Sequence, residues 1–131
     1  MTRLPDGEAM VAGVVGRPIA HSLSPVLHNA WIAAAGLNAA YVPFAPPDDG
    51  FDRFARGLRG QTIRGLNVTA PFKERALELA DEADEVARRA GSANLLLFHP
   101  EGVIEARSTD GLGLLGAFAE QAPGFAFDRP A

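Results

Sequence analysis

The sequence predicts an α/β fold: a three-layer sandwich built on a mostly parallel open sheet of about five to six strands, one of them antiparallel. Three observations carry this. Short apolar runs alternate along the chain with segments whose apolar positions recur at helical spacing. Turn chemistry separates them, as in Pro46-Pro-Asp-Asp-Gly50, His99-Pro-Glu-Gly102 and Ser108-Thr-Asp-Gly111. The link from Phe98 to Val103 is too short for a parallel crossover, which takes a dozen or more residues, so one strand is reversed.

Met10–Gly16 is an apolar run ending in glycine and reads as a central parallel strand, buried on both faces. After the loop Arg17–Leu23, Ser24 as N-cap and Pro25 as first helical residue open a helix over 25–35 that Gly36 stops. Leu27, Ala30, Trp31 and Ala34 form its expected inner stripe. Ala39–Phe44 is a second strand and Phe51–Leu58 a short helix. Ile63–Val68 is the third strand, and Pro71 fits the first position of the helix that follows. Ala76, Leu79, Ala80, Ala83, Val86, Ala87 and Ala90 continue a helical spacing to Gly91, with Asp81 placed to cap a second helix inside that run. Ala93–Phe98 and Val103–Arg107 are the last strands, and Leu112–Glu120 is a final helix. Residues 1–121 read as one domain and 122–131 as a linker.

Composition narrows the function. The chain has 131 residues, 47% hydrophobic and 21% charged, as in an ordinary globular domain. A net charge of −4 gives no electrostatic reason to expect a nucleic-acid or acidic-membrane partner. With no cysteine there is no disulfide, thiolate metal site or cysteine nucleophile, which is compatible with a cytoplasmic setting. No apolar run approaches the roughly 20 residues that span a bilayer, and the first residues have no long apolar core of the kind a signal peptide carries.

Polar residues gather where strands meet helices, the edge at which open α/β sheets bind ligands. The stretch Gly65–Lys73 places Asn67, Thr69 and Lys73 at one corner. A cation in a first helical turn faces the positive end of the helix dipole, where it is disfavoured; that suits an amine that exchanges protons. A solvated lysine at a helix start fits the same residues. Ser22 and Ser24 can present two hydroxyls on one side of their loop, suited to a polyol or carboxylate, unless Ser24 only caps its helix. Asn94, an amide inside an otherwise apolar strand, is a backbone bracket or a ligand clamp. Asp110 is a ligand group or a plain N-cap. Together these corners suit a small polyhydroxylated acid.

Three further patterns carry less. Gly111-Leu-Gly-Leu-Leu-Gly116 matches a dinucleotide fingerprint, but too few residues follow for the strand and acid that complete it. His21 and His28 lack a third metal ligand, so no metal is expected. Asn67-Val-Thr69 is a glycosylation sequon without a secretory signal.

With these corners in place, the chain resembles the N-terminal substrate-binding domain of the shikimate dehydrogenase family. The matching motifs are Gly16-Arg-Pro-Ile-Ala-His-Ser-Leu-Ser-Pro25 with His28-Asn29, Gly65-Leu-Asn-Val-Thr-Ala-Pro-Phe-Lys73, Gly91-Ser-Ala-Asn94 and Ser108-Thr-Asp-Gly111. The resemblance implies NADP-dependent, reversible reduction of 3-dehydroshikimate to shikimate. It implies that Ser22 and Ser24 hold the substrate carboxylate and that Thr69, Asn94 and Asp110 bind ring hydroxyls, with Asn67 shaping the pocket. Lys73, paired with Asp110, would move the proton. The family continues into an NADP-binding domain, so this chain is expected to hold no cofactor and to be inactive alone. The implied partner is a small-molecule substrate, and a homodimer is left open. Leu95 and Ser108 stand where the family has Thr and Asn, which keeps a quinate-type enzyme or a non-catalytic binding module as alternatives.

Overall fold

The computed structural model describes residues 3–109. Its strands are β1 (Met10–Val15), β2 (Ala39–Phe44), β3 (Ile63–Val68), β4 (Glu82–Ala83), β5 (Leu95–Phe98) and β6 (Ile104–Arg107). The helices are α1 (Ser24–Ala35), α2 (Phe51–Arg56), α3 (Lys73–Leu79) and α4 (Glu85–Ala90). The strands form one six-stranded sheet in the order β2-β1-β3-β5-β6-β4. β1 runs parallel to β2 and β3, and β4 runs parallel to β6. β5 is antiparallel to both its neighbours, β3 and β6. Five strands therefore share one direction and β5 alone is reversed, as the short Phe98–Val103 link demands.

The pleat assigns the two faces. Val15, Leu66, Val68, Leu96, Ile104 and Ala106 point to one face and are buried there. They meet Phe51 and Ala55 of α2, Phe72 before α3, Ala76 and Leu79 of α3, and Ala87 of α4 in a single core. Phe51 and Phe72 stack at 4.6 Å and 8° in that layer. Helix α1 lies on the opposite face, where His28 stacks on Tyr41 of β2 at 4.0 Å and 9°. The result is the expected three layers.

Several local expectations are corrected. In α1 the expected inner stripe faces outward: Leu27 and Trp31 are 48% and 59% exposed, and Ala30 and Ala34 are exposed too. Nearly every position of α1 is apolar or alanine, so spacing alone does not choose a face; His28 and Ile32 lie on the more covered side. The α1 N-cap is Leu23, with no side-chain cap, and Ser24 is the first helical residue. Pro71 lies in the turn ahead of α3, whose first residue is Lys73. The run 73–90 is not one helix. Ala80 leaves α3 in extended geometry, and Glu82–Ala83 pair with Glu105–Ala106 as an edge strand. Asp84, not Asp81, caps α4, accepting from the Ala87 amide at 2.8 Å. Val86, on the expected inner stripe, is 45% exposed. Gly36 and Gly91 end their helices as expected, each at positive φ, where glycine alone avoids a steric cost. The expected helix 112–120 and the linker 122–131 lie outside the described residues.

Asp81 is occupied elsewhere. It accepts from Arg59 at 2.5 Å and from the Ile104 amide at 2.9 Å, while Arg59 also donates to the Gly102 carbonyl at 2.7 Å. This ties the entry to β4 to the β5–β6 turn. The Arg59 guanidinium, then the Ile104 amide, hold the Asp81 carboxyl below the ordinary aspartate range. A carboxyl lowered in the folded state stabilises fully above its unfolded value and loses that contribution as pH falls through the folded one. Asp81→Asn keeps an acceptor for Ile104 but removes the charge. It should lower the urea midpoint at pH 7, and the difference from the parent should shrink below about pH 4, measured by urea denaturation at both pH values.

Candidate functional site

A cleft of about 480 Å³ opens at the carboxyl edge of β1 and β3. Ser22, Ser24, Asn67 and Thr69 line it, together with Val14, Arg17 and His21. The structure thus brings four of the sequence-predicted residues to one wall. Asn67 and Thr69 reach it by alternation: Leu66 and Val68 are buried in the core, so the residues between and after them face the other way. Thr69 is anchored through its amide to the Val15 carbonyl at 2.9 Å. The Arg17 amide donates to the Ala70 carbonyl at 3.1 Å, which closes the floor between the two loops.

The β1–α1 loop is shaped by its own polar groups. The Ser22 amide donates to the Ile19 carbonyl at 3.0 Å, and the Ser22 hydroxyl accepts from the Ser24 amide at 3.2 Å. Ser22 thus satisfies one of the unpaired amides at the start of α1. The expected capping role of the Ser24 side chain is not seen: α1 has no side-chain cap at Leu23, and the Ser22 hydroxyl holds the Ser24 amide from just outside the helix. The Arg17 guanidinium reaches across to the Ala45 and Pro46 carbonyls at 3.3 and 3.5 Å, tying the cleft rim to the β2–α2 loop.

Lys73 and Asn94 lie beside this cleft and not in its lining. Lys73 is half-buried at the first position of α3, and its carbonyl accepts from the Ala93 amide at 2.9 Å. The Asn94 carbonyl accepts from the Val68 amide at 2.8 Å. Asn94 was expected inside its strand but lies just before β5, whereas Asn67 lies near the end of β3 and Ser22, Ser24, Thr69 and Lys73 follow their strands. Because β5 is reversed, its beginning meets the ends of β3 and β6. The Asn94 side-chain oxygen accepts from the Thr109 amide at 2.8 Å and from its hydroxyl at 3.2 Å, so Asn94 brackets the chain just before Asp110. Asp110 and the glycine pattern 111–116 lie outside the described residues.

Tyr41, the single tyrosine of the chain, belongs to the site although sequence reasoning missed it. It is buried on β2, and its hydroxyl donates to Asn67 Oδ1 at 2.7 Å. Burial pushes its phenol upward, so it stays a neutral donor at physiological pH. The available signal was a lone polar-tipped aromatic at an alternate strand position. Arg17 and His21 were likewise not singled out as lining residues.

Among the described residues no three metal-ligating side chains cluster. None of the described helices is long and apolar enough to cross a membrane. A pyrophosphate cradle needs glycine amides facing open space at a helix start. Gly16, the glycine after β1, instead abuts the Thr69 methyl.

Comparison with known proteins agrees with this geometry. The family model for the shikimate dehydrogenase substrate binding domain matches residues 14–96. The chain is 65% identical over 125 residues to a shikimate dehydrogenase (NADP(+)) of Caulobacter vibrioides, covering 95% of this chain and 44% of that protein. It is 57% identical over 116 residues to one from Maricaulis maris, covering 88% and 41%. Shikimate 5-dehydrogenase of Thermus thermophilus, solved in complex with shikimate, superposes with a TM-score of 0.80 at 33% identity, over 92% of this chain and 45% of that one. The chain spans less than half the length of these relatives.

A Cβ at position 16 would overlap the Thr69 methyl and press on the Ala70 carbonyl at 3.1 Å. Gly16→Ala should cost about 1–3 kcal/mol through overpacking. Adding Thr69→Ser, which deletes that methyl, should recover part of the loss in thermal denaturation.

Proposed function

Because the chain belongs to the shikimate dehydrogenase substrate-binding domain family, we propose that it is the substrate-binding part of an NADP-dependent enzyme that reversibly reduces 3-dehydroshikimate to shikimate. Residues 1–121 form that domain and 122–131 a linker. The observation that carries the reading is the cleft shared by Ser22, Ser24, Asn67 and Thr69 at the sheet edge beside Lys73. The proposed setting is the cytoplasm, and a homodimer is the assembly to test for.

Ser22 and Ser24 bind the substrate carboxylate, and Thr69, Asn94 and Asp110 bind ring hydroxyls. Asn94 does so from a fixed position, since its oxygen is held by Thr109. Lys73, paired with Asp110, delivers a proton to the carbonyl oxygen during reduction and takes it back during oxidation. The nicotinamide cofactor, when bound, would supply the hydride as NADPH in reduction and accept it as NADP+ in oxidation, and none of the described residues is assigned to holding it. The second reading, a quinate-type enzyme, rests on Leu95 and Ser108 standing where the family carries Thr and Asn.

The test uses the full-length enzyme that carries this chain. Shikimate and NADP should generate NADPH absorbance faster than quinate and NADP; faster turnover with quinate would favour the second reading. Lys73→Ala should lower kcat about 10²- to 10⁴-fold, with a much smaller change in KM, because general acid–base help is realised in the transition state. An unchanged kcat would remove Lys73 from the mechanism.

A further inference from the structure

The motif residues His28 and Asn29 have no part in the proposed chemistry, yet both converge on Tyr41. The Asn29 side chain brackets the Tyr41 backbone, donating to its carbonyl at 2.8 Å and accepting from its amide at 3.0 Å. The His28 ring lies flat on the Tyr41 ring, and His28 Nδ1 is 2.9 Å from the Ser24 carbonyl. On the sheet, Tyr41 pairs with Ala12 and Ala12 with Gly65. These small residues leave room for the phenol to extend along the face to Asn67. Tyr41 is thus clamped by backbone, ring and hydroxyl.

We propose that Tyr41 is a positioning residue that fixes the Asn67 amide with its oxygen turned to Tyr41 and its NH2 turned to the cleft, so that Asn67 selects a hydrogen-bond acceptor on the ligand. This deepens the shikimate reading and rests on it for the ligand's identity. A phenol has one proton to give. Given to Asn67 Oδ1 at 2.7 Å, it commits the amide oxygen to Tyr41, so the amide keeps its orientation. A substrate rich in carboxylate and hydroxyl oxygens offers the acceptor that this amide requires.

The test measures shikimate binding by calorimetry in the full-length protein. Tyr41→Phe keeps the ring and its stacking and removes only the hydroxyl. It should weaken binding ~5- to 10-fold, as expected for one lost neutral hydrogen-bond arrangement. Tyr41→Phe combined with Asn67→Ala should be no weaker than Asn67→Ala alone, since both changes remove the same contact. Asn67→Asp keeps an acceptor for Tyr41 but places a carboxylate oxygen where the NH2 pointed, so its loss should exceed that of Asn67→Ala. Wild-type affinity in Tyr41→Phe, multiplicative losses in the double variant, or retained binding in Asn67→Asp would each overturn the proposal. Should the wild-type protein bind no shikimate, the functional reading fails. The positioning inference is then decided without ligand, by the Asn67 side-chain amide signals in a ¹⁵N spectrum, assigned by their loss in Asn67→Ala. Tyr41→Phe should shift them, and an unmoved pair would overturn it.

Discussion

The register of β3 is the constraint on which the rest depends. Side chains alternate along a strand, so a slip of one residue exchanges its two faces. In β3, Leu66 and Val68 are buried while Asn67 and Thr69 reach the cleft. A slip would bury an amide and a hydroxyl against Phe51 and Phe72 and turn two apolar side chains toward the ligand. The register is held from both sides. β1 pairs Val14 with Asn67 and Val15 with Val68, and β5 pairs Leu95 with Asn67. The Thr69 and Val68 amides extend those ladders to Val15 and Asn94. The same backbone bonds that stabilise the sheet therefore set the spacing of the polar wall.

Much of this was legible in the sequence, for identifiable reasons. Strands β1, β2 and β5 are continuous apolar runs, and Gly36 and Gly91 mark helix ends by the one conformation that favours glycine. The antiparallel pairing of β5 with β6 followed from a loop too short for a parallel crossover, while the structure decides that β5 is the reversed strand. Three features were not legible. The direction in which α1 faces was hidden because the helix is apolar almost all round. The two-residue strand β4 was hidden because Ala80 and Ala83 fit a helical spacing, while the extended geometry there is set by long-range bonds to Ile104 and Ala106. The N-cap of α4 was misplaced for the same reason: Asp81 and Asp84 are chemically alike, and only the packing of Arg59 tells them apart.

The candidate site shows a similar split. Ser22, Ser24, Asn67 and Thr69 could be picked out from residue type and position on strand-to-helix corners. Tyr41 could not, because its importance lies in what surrounds it. On β2 it reads as one aromatic in an edge strand. Only the folded chain brings His28 onto its ring, Asn29 onto its backbone and Asn67 to its hydroxyl. The polar wall is thus supported by a buried group on β2, with β1 between it and β3, and α1 takes part through its two motif side chains while its outer face stays exposed at Val26 and Trp31.

The strand order has a consequence for how the chain comes together during synthesis. β1, β2 and β3 are contiguous in the sheet and complete by Val68, so this half can assemble early. β4 follows in sequence but has no partner until β6 is made, because Glu82–Ala83 pair only with Glu105–Ala106. In the interval the far edge of β5 is an open template for pairing with another chain. The last few residues of β6 close that edge and dock β4 beside it in one event. The same residues carry the chain to Thr109 and its bracket with Asn94, so the growing chain protects its vulnerable edge and fixes the Asn94 side chain together.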